Sequence, residues 1–70
     1  MPMTSTEHAA ALLQCRMSWP QAERCAASLT EAGMPDLTRQ QTAETLTRHL
    51  GYEQASACAD DLAREGLTRG

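Results

Sequence analysis

The sequence contains no valine, no isoleucine and no phenylalanine. Strands draw heavily on β-branched aliphatic and aromatic residues, so a sheet has little to be built from. What remains favours helices: twelve alanines and eight leucines lead the composition. The predicted fold class is all-α. Lysine is absent as well, and all six basic residues are arginine. With nine acidic residues the formal net charge is -3, spread along the chain. That balance offers no basic stripe of the kind a nucleic-acid binder carries. It is also too weak for a mimic of DNA.

Long apolar runs are missing too. None approaches the roughly 18 residues of a membrane span. The opening MPMTSTEH has neither the charged n-region nor the apolar h-region of a signal peptide. The expected location is the cytoplasm. The three cysteines form no CxxC pair, and in a reducing compartment they read as free thiols.

Seventy residues make one small domain, residues 1–70. Such a chain buries roughly 60% of the surface its unfolded form exposes, so its core is thin. Within it one pattern recurs. WPQAERCAASLTEAGM (Trp19–Met34) and YEQASACADDLAREGL (Tyr52–Leu67) agree at six positions, all 33 residues apart. These are Gln21/Gln54, Ala22/Ala55, Cys25/Cys58, Ala26/Ala59, Leu29/Leu62 and Gly33/Gly66. Ala10/Ala43, Leu13/Leu46 and Met17/Leu50 extend the same offset. Ala22, Cys25, Ala26 and Leu29 step by three, one and three, which is a single stripe of a helix. Gly33 and Gly66 stand where a helix needs a left-handed stop. The pattern predicts two tandem helical hairpins, residues 5–37 and 38–70, forming a compact four-helix domain.

Helix boundaries follow from local signals. The first helix should start near Thr4 or Ser5 and run to about Met17. Ser18 with Gln21, and Thr38 with Gln41, have capping-box spacing for the second and third helices. Pro20 is tolerated in a first turn. Gly33 and Pro35 end the second helix, Gly51 ends the third, and Tyr52 opens the fourth. The third should turn Ala43, Leu46 and Leu50 inward. Neither the tetratricopeptide nor the ankyrin pattern is present, and two units are fewer than such arrays use.

Chemistry-bearing residues are sparse. Cys25 and Cys58 share the core stripe and read as buried apolar thiols. Cys15 falls at another helical angle and is expected at the surface. His8, Cys15, Cys25, His49 and Cys58 could supply metal-binding atoms but lack zinc-ligand spacing. No cofactor or metal is therefore expected. Nothing places a histidine beside a thiol as a cysteine nucleophile requires. No glycine-rich phosphate loop occurs, and Asp60–Asp61 reads as a solvated outer face of the fourth helix. The expectation is a non-enzymatic protein. LTRQQTAETLTRHLGYEQASACADDL loosely resembles a helix-turn-helix, with Leu50-Gly51 as the turn. That likeness implies a DNA-binding regulator, the alternative reading. The reading helix would carry Glu53, Asp60 and Asp61, with no basic residue before Arg64, and nucleic acid is a poor match for it.

A protein partner is the expectation that remains. Where the two units differ, the first is more apolar: Ala9, Ala11, Leu12, Ala27 and Ala32 stand against Thr42, Glu44, Thr45, Asp60 and Glu65. Ala9, Leu12 and Ala27 are thus candidates for a homodimer interface. Trp19 and Tyr52, the only aromatics, open the second helix of each hairpin and are expected to staple its corner. Trp19 with Arg16 and Arg24 forms a candidate partner-binding patch, since Trp and Arg are enriched at binding hot spots. An inhibitor from a phage or mobile element, anti-CRISPR-like and docking on a larger host complex, would suit a chain of this size.

Overall fold

A computed structural model describes residues 3–69. Residues 1, 2 and 70, at the ends of the predicted domain and its second unit, lie outside the described residues. Four helices follow in order: α1 Ser5–Leu13, α2 Trp19–Ala32, α3 Arg39–Leu46 and α4 Tyr52–Arg64. The described residues contain no strand, in keeping with the missing aliphatics. The helix α1 packs on α2 and α3 packs on α4, giving two hairpins. They meet through α2 against α3 and α1 against α4.

Local chemistry explains most boundaries. Thr4 Oγ1 accepts the Glu7 N–H at 3.1 Å, while the Glu7 carboxylate accepts the Thr4 N–H at 3.3 Å. Thr38 and Gln41 make the same reciprocal box at the start of α3. The box expected at Ser18 does not form, and Ser18 makes no side-chain cap bond. Gln21 is engaged elsewhere, and its Nε2 donates to the His49 carbonyl at 3.0 Å. Gln54, 33 residues on, donates likewise to the Arg16 carbonyl at 3.0 Å. Each glutamine thus covers a carbonyl in the turn after the other hairpin's first helix. A tertiary partner has won over a local cap.

The first helix is shorter than its predicted extent to Met17. After Leu13 the chain tightens, with Cys15 N–H bonding Leu12 O and Arg16 N–H bonding Leu13 O. Such three-residue bonds use up the last carbonyls and close the helix early. The same tightening ends α3 at Leu46, well before Gly51. Gly51 instead precedes α4 as its N-cap, in extended backbone. Gly33 and Gly66 do stop their helices, at φ +123° and +78°. In both places the next residue's N–H reaches back five positions, Met34 to Leu29 and Leu67 to Leu62. Met34 and Leu67 then fold over the core, as this glycine stop commonly allows.

The core is the predicted stripe and its continuation. Ala22, Cys25, Ala26 and Leu29 are fully buried, and so are Ala55, Cys58, Ala59 and Leu62. Leu13 and Leu46 join them from α1 and α3. Of the three residues expected inward only Leu46 is fully buried; Ala43 on α3 and Leu50 beyond its end are half-buried. Thr42, the polar counterpart of Ala9, is fully buried on α3 as well. Its hydroxyl donates to the Thr38 carbonyl at 2.8 Å, so no polar atom is stranded.

Candidate protein-binding groove

The predicted contact residues separate in space. Trp19, Arg24 and Ala27 converge on one groove between α1 and α2, of about 780 Å³. Ala10, Ala11 and Ala26 line its interior, and Met3 lines the groove as well. Small side chains at these places leave the space between the two helices unfilled. Trp19 stays 46% exposed and Met3 55%, so large apolar surface stands at the rim. The corner-staple expectation is corrected for both aromatics: Trp19 faces this groove, and Tyr52 is 76% exposed.

Three other sequence candidates lie elsewhere. Arg16 is not in the groove; its Nε donates to the Asp61 carboxylate at 2.7 Å, joining α1's turn to α4. That bond and its charge raise the Arg16 pKa. Ala9 is fully buried inside its own hairpin. No second copy can touch its side chain, which corrects its place in a dimer interface. Leu12 is half-buried and packs against the chain's own core, away from the groove. Only Ala27 of that set is open.

The second hairpin has a groove at the same place, of about 530 Å³. It is lined by Arg39, Gln40, Ala43, Glu44, Thr47, Tyr52 and Ser56. Subtracting 33 from each number yields Thr6, Glu7, Ala10, Ala11, Gln14, Trp19 and Glu23, and all but Gln14 line the first groove. The two differ in what crosses them. In the second hairpin the Arg39 guanidinium spans from α3 to α4, where its Nη2 donates to Ser56 Oγ at 2.8 Å and its Nε to Asp60. The hydrogen bond from Arg39 holds the Asp60 carboxyl below its usual range and raises Arg39 in turn. The outer face of α4 is therefore paired rather than merely solvated. In the first hairpin Thr6 replaces the arginine and Ala27 the aspartate, and no ion pair among the described residues crosses it. Thr6 Oγ1 instead meets Thr30 Oγ1 at 2.6 Å.

One polar pair was missed from the sequence. Ser28 Oγ lies 2.7 Å from His49 Nε2. At the 33-residue offset Ser28 corresponds to Asp61 and His49 to Arg16. The two contacts thus join the hairpins at matching places, one as an ion pair and one as a serine–histidine hydrogen bond. Polar residues at all four matched positions were the available signal. Cys25 and Cys58 are buried as expected, and Cys15 is exposed. Burial pushes the Cys58 thiol up to about 11 and raises Cys25 as well. Neither is a thiolate at neutral pH. Among the described residues no three His, Cys, Asp or Glu side chains converge as metal ligands, and no helix is long and apolar enough to cross a membrane.

Comparison with known protein families, curated proteins and solved structures finds nothing that matches this chain. The groove must be read from its own chemistry.

Proposed function

We propose that this chain is a non-enzymatic protein–protein interaction module, and that the α1/α2 groove is its docking surface. One observation carries the reading. The same groove occurs in both hairpins, and only the second is bridged by the chain's own arginine. The first is left open, apolar inside and rimmed by Trp19 and Met3. Tryptophan at such a rim is the residue type that most often anchors a protein contact. A small molecule is the weaker match, because ligand sites enclose most of their ligand. Here Met3, Glu7, Trp19, Pro20, Glu23 and Ala27 are all exposed, so the groove is an open trough. Blocking a larger host complex, as an inhibitor from a phage or mobile element would, asks only for a stable scaffold with one such face.

The helix-turn-helix alternative draws less support. The helix α4 carries Glu53 in its first turn, and Arg64 is its only basic residue. Arg16 and Arg39 are already engaged by Asp61 and Asp60.

The protein's own second hairpin supplies the test. Thr6→Arg, Glu23→Ser and Ala27→Asp together transplant the Arg39, Ser56 and Asp60 bridge into the first groove. The triple variant should fold, with helical circular dichroism retained and a melting temperature near that of the parent. It should lose a partner that photo-crosslinking from Ala11 or Ala27 captures with the parent protein. Undiminished capture of that partner by a folded triple variant would show that docking lies elsewhere.

A further inference from the structure

The bridged groove shows what chemistry this architecture accommodates. In the second hairpin an arginine side chain crosses the groove. Arg39 lines it together with Ala43, one turn on along α3, and its guanidinium ends on acceptors of α4. The first groove shares the matching alanine, Ala10, has Ala11 where the second has Glu44, and lacks the arginine. It also has an acceptor in place. Glu23 stands where Ser56 stands, is exposed, and forms no ion pair among the described residues. Glu7, on the facing helix, spends one carboxylate oxygen on the Thr4 N–H and has the other to offer. Arg24 is the opposing charge on this rim, so the groove's charged side chains sum to one net negative: two carboxylates against one guanidinium. A guanidinium suits such a site, because its planar fork can stack on Trp19 and bond a carboxylate at once.

We propose that the α1/α2 groove receives an apolar segment of a partner protein that carries an arginine, whose guanidinium reaches Glu23 across the groove as Arg39 reaches Ser56 and Asp60 in the second hairpin. This rests on the groove being the docking surface and adds the chemistry of what docks there.

Trp19 is the only tryptophan, so its fluorescence reports on the groove directly. The probes are acetylated and amidated twelve-residue peptides with leucines at helical spacing and one arginine, moved from position to position across a panel. Each has a twin with citrulline, which keeps the shape and removes the charge. At least one arginine peptide should change Trp19 fluorescence and shift the amide signals of Ala11 and Ala27. It should bind roughly two- to fivefold more tightly than its citrulline twin, the range of an exposed ion pair. Glu23→Gln should erase that preference, while Glu53→Gln, on α4 and outside the groove, should leave it intact. Twins that bind equally well would overturn the arginine inference and leave the groove as a docking surface. A parent protein that sediments as a dimer, with the Thr6→Arg, Glu23→Ser and Ala27→Asp variant a monomer, would also overturn it, by making a second copy the occupant. Failure of every peptide to reach the groove of a monomeric parent would remove both readings. Glu23→Gln changes only an exposed side chain, so the test survives even if the triple variant misfolds.

Discussion

The two hairpins bury the same stripe and treat their outer sides differently. Inside, alanine, cysteine and leucine recur at matching places and are equally inaccessible. Outside, one hairpin crosses its groove with Arg39, Ser56 and Asp60, and the other, hydrogen-bonded across only by Thr6 and Thr30 among the described side chains, leaves its groove unbridged by an arginine. A domain this small has little stability to spare. The bridged groove leaves Tyr52 more exposed than Trp19, so the informative difference is the missing bridge itself. The shared interior is what folding needs, and the unshared exterior is where a partner has something to grip.

The likeness of the interiors is the easiest half of the comparison to break. Leu29 and Leu62 are both fully buried at matching positions. Truncating either to alanine removes the same atoms from the same kind of site, at a cost of about 2–5 kcal/mol. A core of this size rarely supplies more than about 3–5 kcal/mol in total. Leu29→Ala and Leu62→Ala should each leave much of the protein unfolded at room temperature, and to a similar degree. Urea titration followed by circular dichroism measures both. A large loss for one and almost none for the other would mean that the hairpins do not share one cooperative core.

The glycine stops sharpen the comparison, because they match in role but differ in geometry. Gly66 sits at φ +78°, close to the left-handed well that other residues occasionally visit. Gly33 sits at φ +123°, well beyond it. A methyl group at Gly33 would meet Leu37 at an ordinary 3.9 Å, so crowding is not the issue. Backbone strain alone separates the two. Gly66→Ala should cost about 1 kcal/mol, and Gly33→Ala about 2 kcal/mol or more. Equal losses in the same urea titration would contradict the ordering.

Much of this fold is legible in the amino-acid sequence, because its signals are local. The Ala22, Cys25, Ala26 and Leu29 spacing, the glycine stops and the Thr38–Gln41 box all act within one or two turns. What escapes a local reading depends on which helix lies against which. Gln21 has the right spacing to cap α2, yet it bonds His49 in the other hairpin. Thr42 has the polarity of a surface residue, yet it is buried once its hydroxyl bonds Thr38. The groove belongs to the same class. Trp19 and Arg24 stand out by residue type, but that they share a space with Ala27, and that Arg16 and Ala9 do not, follows from how α1 lies on α2.

The smallest expected effect concerns the bridge itself. Asp60 owes its lowered pKa first to the hydrogen bond from Arg39, which exists only in the folded chain. The folded protein therefore releases this proton more readily than the unfolded chain does. The resulting stabilisation is complete above the ordinary carboxyl value of 3.8 and is lost as pH falls through the lower folded value. Asp60→Asn cannot ionise and has no such dependence. The parent should melt above Asp60→Asn at pH 6, by a small margin because both partners face solvent. That margin should shrink toward zero as pH falls below 3.8. It should also narrow in 1 M salt, where charges are screened within about 3 Å. A margin unchanged between pH 6 and pH 2 would mean that Asp60 contributes shape rather than charge. The bridge would then no longer distinguish the second groove from the first on electrostatic grounds, and the reason for expecting a cation in the open groove would weaken with it.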